Sequence, residues 1–139
     1  MKRLLIVFLI VAGLPLYANP AAVSIMNDMR ADKRRAPLTY SVILEKAADM
    51  HARDMAENGF FSHSSQNGAS VGDRVKTAGY QWCFLAENIA QGQTSLSQVM
   101  AGWASSPGHY KNMMHKKAAQ FGLAQGPGNT WVMVLAAPC

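Results

Sequence analysis

Apolar residues recur at helical spacing in four stretches of the chain. The clearest stretch is 41–58, whose apolar face is formed by Leu44, Ala47, Ala48, His51 and Met55. Ser41 can cap its start, and Asn58-Gly59 is a typical helix stop. The same spacing predicts three more helices, at 21–33, 71–78 and 96–103. After a break at 105–108, residues 109–114 are expected to form a short turn or helix.

The end of the chain follows the pattern of β-strands instead. Residues 121–125 and 130–136 flank the sequence Gly-Pro-Gly-Asn, a four-residue loop typical of a hairpin. Residues 80–92 alternate only near Trp82 and Phe84, and we interpret them as an irregular strand or loop that crosses the core. Helices early and strands late favour an α+β fold layered around a sheet.

The first 18 residues have the pattern of a secretory signal peptide. Lys2 and Arg3 are followed by an uncharged apolar run at 4–14, and Ala18 is the small residue expected before a cleavage site. The alternative is an uncleaved anchor, although the run is shorter than the ~20 residues that span a bilayer. We therefore expect cleavage after Ala18 and a secreted or periplasmic protein. No transmembrane segment is expected in the mature chain.

Length and charge limit what the mature chain can be. About 120 residues suffice for one domain, taken as 21–139, and not for two. The formal net charge of +5 loses the two charges of Lys2 and Arg3 on cleavage, and the small remaining excess does not indicate a nucleic-acid partner. The basic clusters at 33–35 and 116–117 are interpreted as solvated faces.

Two cysteines, Cys83 and Cys139, lie in the mature part. In an oxidising compartment an even number of cysteines favours a disulfide, which here would tie the last residue to the middle of the chain. The alternative is two free thiols. Two cysteines so far apart do not form a metal site.

Three polar residues lie at predicted element boundaries: His63, Glu87 and His109. Phe60 and Phe61 are expected to pin the loop of His63 to the core. Glu87 lies among apolar residues, so its carboxylate must find a partner. Imidazoles and a carboxylate can bind zinc or perform acid–base chemistry, but the spacing alone does not tell whether the three residues converge.

Several segments occur in the order found in a known family. They are His51-Ala-Arg-Asp-Met-Ala-Glu-Asn-Gly-Phe-Phe-Ser-His63, then Gly72-Asp-Arg74 with Gly79-Tyr80, Ala86-Glu-Asn-Ile-Ala-Gln-Gly92, Trp103-Ala-Ser-Ser-Pro-Gly-His109 with Asn112, and Phe121-Gly-Leu-Ala with Trp131. From about Ala21 to Cys139 the chain resembles the CAP superfamily, or SCP domain, of cysteine-rich secretory, antigen 5 and pathogenesis-related 1 proteins, in its bacterial form. The resemblance implies a three-layer α-β-α sandwich with a central, mostly antiparallel sheet.

The resemblance also implies a cleft lined by His63, Glu87 and His109, with Asn88 satisfying backbone groups beside it. Many eukaryotic members have a second glutamate three residues after the tryptophan of the third block, where this chain has Ser106. One carboxylate of the cleft is therefore replaced by a serine. His63 and His109 with a single carboxylate could still hold zinc or another divalent cation weakly, with water in the open position.

The first functional hypothesis is a monomeric binding protein whose cleft takes a small apolar or lipid-like ligand, a peptide or a divalent cation. A metal-assisted or His/Glu-dependent hydrolase is the alternative, although no G-x-S-x-G nucleophile motif is present. A structural envelope protein with a vestigial cleft is the third. Family resemblance indicates a fold more strongly than a reaction, so binding without catalysis is preferred.

Three further expectations concern single residues and the disulfide. His51 is expected to be a core histidine bonded to the backbone, and Arg74 to pair with Asp73 or Asp54. The Cys83–Cys139 bridge is expected to anchor the Glu87 segment to the sheet, so that reduction loosens the cleft before the domain unfolds.

Overall fold

The computed structural model describes residues 19–139, so the predicted signal peptide lies outside the described residues. Five helices and four strands follow one another along the chain. They are α1 (Pro20–Asp32), β1 (Thr39–Tyr40), α2 (Val42–Asn58), α3 (Val71–Thr77), β2 (Trp82–Gln91), α4 (Leu96–Ala104), α5 (Pro107–Met113), β3 (Gln120–Gly126) and β4 (Thr130–Pro138). A short 3-10 turn over Pro127–Asn129 joins β3 to β4.

Side-chain caps fix the helix ends near the predicted positions. The Ser41 hydroxyl accepts a hydrogen bond from the backbone N–H of Leu44, and Gly59 ends α2 at a φ of 67°, where glycine has no steric penalty. Ser70 and Asp73 form a reciprocal capping box at the start of α3. The Asp73 carboxylate is thereby occupied within its own helix.

The four strands form one sheet in the order β1-β3-β4-β2, in which only the short β1–β3 pairing is parallel. Alternate residues of β4 face opposite layers because side chains alternate along a strand. Trp131, Met133 and Leu135 pack with α1, α4 and α5. Val132, Val134 and Ala136 pack with α2 and α3. The predicted three-layer sandwich with a mostly antiparallel sheet is confirmed.

Helix α2 lies unusually close to the sheet at Gly122 of β3. A Cβ atom at this position would overlap the backbone of Leu44 and Glu45. The missing side chain therefore sets the distance between helix and strand. This close contact fixes the position of α2 and, with it, the start of the loop that follows α2 and leads to α3.

Residues 82–91 form a regular strand, whereas the sequence predicted an irregular strand or loop. They pair with β4 from Gln91↔Thr130 through Phe84↔Ala137, with one register shift at Cys83. The alternation of polar and apolar residues within this segment is weak, so its extended conformation depends on pairing with β4. Since β4 lies on one side only, β2 is an edge strand of the sheet.

The disulfide Cys83–Cys139 is present and joins the start of β2 to the residue after β4. Three paired positions, from Phe84 to Ala86, lie between Cys83 and the carboxylate it was expected to anchor. The ladder of hydrogen bonds to β4 already holds this segment. The bridge fastens the start of β2 to the end of β4, and its expected role in anchoring the Glu87 segment stays a prediction.

Within residues 19–139, no helix has both the length and the apolar character needed to cross a bilayer.

Candidate functional site

The site is built around the edge strand β2. Glu87 faces the same layer as Ile89 and Leu85, which pack with α2 and α3, and the next residue, Asn88, faces the opposite layer. The Glu87 side chain is only 2% exposed. A carboxylate this deeply buried must have polar partners, and it has two.

The first partner is His63, on the loop after α2. Its Nδ1 lies 2.8 Å from Oε1 of Glu87. Because an ionised carboxylate can only accept hydrogen bonds, Nδ1 carries the proton, and a neutral His63 presents an unprotonated Nε2. The His63 side chain is 59% exposed, so this edge of the ring is accessible to a ligand.

The second partner is Arg74 of α3, whose Nη2 donates to Oε2 of Glu87 at 2.7 Å. Its Nη1 donates to the backbone oxygens of His63 and Ala69, at 3.0 and 3.1 Å, and to the Ser65 hydroxyl. The expected pairing of Arg74 with Asp73 or Asp54 is therefore wrong. Arg74 orients the carboxylate and fixes the loop that carries His63.

Sequence reasoning missed this role of Arg74. The only signal was its place in Gly72-Asp-Arg74, where the adjacent Asp73 offered a local partner. The capping box occupies Asp73 instead, and Asp54 accepts from the backbone of Gln66. Tertiary packing left Glu87 as the carboxylate that Arg74 reaches.

His51 supports the same loop from within the core. It is fully buried, and its Nε2 lies 2.7 Å from the Ser62 carbonyl oxygen, which confirms the expected backbone-bonded core histidine. The pKa of His51 is lowered from its usual value, mainly because the ring is buried. Phe60 packs against the core as expected, but Phe61 is 51% exposed, so only one phenylalanine pins the loop.

His109 approaches from the other side of β2. Its backbone oxygen accepts from Nδ2 of Asn88 at 3.2 Å, and Nδ2 of Asn112 donates to Asn88 Oδ1 at 2.9 Å and to the Glu87 carbonyl at 3.3 Å. These bonds tie α5 to the backbone of the strand that carries Glu87. Asn88 satisfies a backbone group beside the cleft, as predicted.

Ser106, which begins α5, lies with its hydroxyl oxygen 2.9 Å from Nδ1 of His109. The hydroxyl makes no capping bond to the helix backbone. Burial, and then the nearby His63 imidazole, lower the pKa of His109. The structure therefore brings His63, Glu87, His109, Ser106 and Asn88 together around one stretch of β2.

The side chains do not supply a complete metal site by themselves. Both oxygens of Glu87 are bonded to His63 and Arg74. The remaining donors are ring nitrogens of His63 and His109, fewer than the three protein ligands usual for catalytic zinc. Among the residues the structure describes, no group of three or more His, Cys, Asp or Glu is placed to hold a metal ion. Zinc at His63 and His109 stays a prediction.

The arrangement of helices, sheet and polar side chains matches a known family. The family model described as the cysteine-rich secretory protein family, CAP, matches residues 23–135. The chain belongs to the CAP family. The sequence segments that suggested it lie around the Glu87 strand in this CAP domain.

Two curated relatives come from Bacillus subtilis strain 168. The uncharacterized protein YkwD is 30% identical over 110 residues, covering 78% of this chain and 43% of its own length. The uncharacterized membrane protein YlbC is 29% identical over 97 residues, covering 70% of this chain and 28% of its own. The CAP domain described here thus spans less than half of either relative.

Solved structures agree in fold. An extracellular SCP-domain protein from Bacillus anthracis superposes with a TM-score of 0.80 at 23% identity, covering 84% of this chain and 39% of its own. An outer surface protein from Borrelia burgdorferi gives 0.78 at 20% identity, with coverage of 86% and 92%. At these identities the likeness establishes the fold alone.

Proposed function

We propose that this CAP domain is an exported binding protein whose cleft, at His63, Glu87 and His109, takes a neutral peptide-like ligand. The observation that carries the proposal is the chain of contacts from Arg74 through Glu87 to His63. The buried charges of Arg74 and Glu87 balance each other, so the floor of the cleft has no net charge to attract an ion. The open Nε2 of His63 accepts a hydrogen bond, as from an amide N–H.

The edge position of β2 supports an extended peptide rather than a compact ligand. Asn112 and the Trp103 indole donate to the carbonyl oxygens of Glu87 and Ile89, so these groups face away from β4. By the two-residue alternation of a strand, the backbone of Leu85 faces the same open edge. Asn112 and Trp103 already occupy the carbonyl oxygens of Glu87 and Ile89, so a peptide can add main-chain hydrogen bonds at Leu85 while one amide reaches His63.

The binding test is NMR titration of the isotope-labelled protein with capped tripeptides, and in parallel with a short-chain fatty acid. Peptides should shift signals at residues 60–63 and 84–89, and His63→Ala should abolish the shifts. His115→Ala, a histidine outside the cleft, is the matched control and should retain the shifts at residues 60–63 and 85–89; Phe84 is left out of this comparison because the His115 ring stacks on it. Shifts with the fatty acid alone would overturn the peptide assignment, and no shift with either probe would overturn cleft binding.

Zinc is tested by calorimetric titration of the same protein. The proposal expects binding weaker than micromolar, because only two imidazoles are available. Tight stoichiometric zinc that is lost in both His63→Ala and His109→Ala would replace the peptide assignment with a metal site.

Hydrolysis is the second candidate, and one contact favours it. A carboxylate that accepts from Nδ1 of a histidine leaves Nε2 as a general base, as Glu87 does with His63. Ser106 contacts His109 and has no bond to His63, so water would be the nucleophile. Peptidase and esterase assays should show activity that falls at least a hundredfold in Glu87→Gln. Equal inertness of both proteins would exclude this candidate.

Export is supported by the resemblance of residues 1–18 to a signal peptide, and by the extracellular or outer-surface descriptions of the two solved proteins. Expression in a bacterial host, followed by fractionation and N-terminal sequencing, should give a secreted or periplasmic chain beginning at Asn19. A cytoplasmic chain with an intact N-terminus would refute export.

A further inference from the structure

Two basic segments that are distant in sequence meet at one end of the domain. Seven of the eleven Lys and Arg residues between 19 and 139 lie in segments 30–35 and 111–117. The first contains the end of α1 and the second the end of α5. Arg30 donates to the Met113 carbonyl at 2.7 Å, and Arg35 donates through Nε to the Met114 carbonyl at 3.0 Å. These bonds hold the segments together.

A groove of about 490 Å³ lies at this junction. Its cationic lining consists of Arg35, Lys111, Lys116 and Lys117, and Tyr110 and Met114 add apolar surface. We call it the basic groove. The three lysines are exposed, whereas Met114 is only 7% exposed. The charges therefore surround a recess that is partly apolar.

Among residues 19–139, no carboxylate lines the basic groove. Within residues 19–139, the arginines that form ion pairs with carboxylates are Arg53 and Arg74. No cation of the basic groove forms such a pair in this part of the chain. Like charges held together without counter-charges repel one another and reduce stability. An anionic partner that binds across the groove would remove this repulsion.

The kind of cation indicates the kind of anion. Lysine ammonium groups are point charges on flexible stems, suited to many separate negative groups, whereas bidentate capture of one phosphate favours arginine. The single arginine of the lining has its Nε committed to a backbone carbonyl. Apolar surface between flexible cations matches the boundary between lipid headgroups and acyl chains.

We propose that the basic groove docks this domain on an anionic phospholipid bilayer. The basic groove shares no lining residue with the cleft at Glu87. Each lysine near an anionic surface adds to the electrostatic attraction between protein and bilayer. Dissolved salt screens this attraction.

Vesicle co-sedimentation tests the docking, with the exported, disulfide-intact protein and vesicles of phosphatidylcholine with or without phosphatidylglycerol. Binding should require phosphatidylglycerol and should disappear when salt is raised to about 0.5 M, where charges are screened within a few ångströms. The double variant Lys116→Glu/Lys117→Glu should bind at least tenfold more weakly. Both lysines are exposed and carry like charges, so the substitutions should not lower the melting temperature.

The matched control is Lys46→Glu/Lys76→Glu, which changes the net charge equally at two exposed lysines outside the groove. It should bind within about twofold of the wild type, and so should His63→Ala. Equal loss in both double variants would reduce the effect to net charge and overturn the proposal. Loss in His63→Ala would move the lipid to the cleft, and displacement by millimolar inorganic phosphate or by DNA would assign the groove to another anion. Either result also overturns bilayer docking.

Discussion

The buried pair of Arg74 and Glu87 is the main electrostatic feature at the scale of single residues. Their side chains are 6% and 2% exposed, and the carboxylate also bonds His63. Removing one partner of such a pair leaves an unsatisfied charge in the core, which costs far more than the intact pair contributes. The pair thus constrains which substitutions the cleft tolerates.

Arg74→Met should lower the free energy of unfolding by about 3 kcal/mol or more. Arg53→Met is the control, because Arg53 is 54% exposed and its solvent-screened pair with Asp49 should contribute little to stability. Urea unfolding of the three proteins measures both values. Equal effects of the two substitutions would contradict a buried, structurally required pair.

His51 makes the stability depend on pH. Burial, the largest effect, and the positive charge of Arg74 both lower the pKa of His51. The carboxylates of Glu87 and Asp54 raise it, but burial outweighs them, so the pKa lies below its usual 6.5. The unfolded chain therefore binds protons that the folded chain does not, so this contribution is complete above about pH 6.5 and is lost as the pH falls.

Thermal unfolding at pH 7.5 and pH 5 should show this loss in the wild type and less of it in His51→Gln. Glutamine does not titrate, and its amide can donate to the Ser62 carbonyl in place of the imidazole. An unchanged pH dependence in His51→Gln would assign the acid loss to other groups, such as His109.

At the scale of elements, the contact between α2 and β3 determines where the His63 loop begins. Gly122→Ala should destabilise the domain by several kcal/mol or prevent folding, because its Cβ would overlap the α2 backbone, which cannot move without displacing the helix. Gly102→Ala, in α4, has only one neighbouring atom at 3.9 Å and should be neutral or stabilising by up to about 1 kcal/mol. Denaturation midpoints compare the two, and a mild effect at Gly122 would refute the close packing.

The helices were largely predictable from local sequence, because apolar periodicity and caps act within a few residues. Predicted bounds for 21–33 and 71–78 fall within one residue of α1 and α3, and Ser41 and Gly59 cap α2 as expected. Strand β2 was the element that local pattern described poorly. Its extended form depends on pairing with β4, which begins at Thr130, 39 positions after Gln91, where β2 ends.

At the scale of the whole molecule, the disulfide and the sheet hold the same two strands. A bridge across 56 positions should contribute about 4 kcal/mol through the entropy of the unfolded chain. Because the ladder between β2 and β4 continues past the bridge, we expect the cleft to be held by strand pairing as well as by the disulfide.

Reduction, or the Cys83→Ser/Cys139→Ser variant, should therefore lower the melting temperature while cleft and core unfold together. Chemical shifts of His63 and of the core methyl groups, followed on heating, measure the two events. Earlier loss of the His63 signals would contradict this expectation and support the anchoring role expected from the sequence.

The sequence by itself determined the helices, the terminal hairpin, the disulfide partners and, through family resemblance, the three layers and the set of polar residues that lie around β2. These features rest on local periodicity, on caps, on an even count of cysteines and on motif order. Tertiary structure alone decided that Arg74 pairs with Glu87, that β2 is a regular edge strand, and that the basic ends of α1 and α5 form one groove. Each of these depends on atoms that are distant in sequence, and several candidate partners are chemically equivalent until packing brings one within bonding distance.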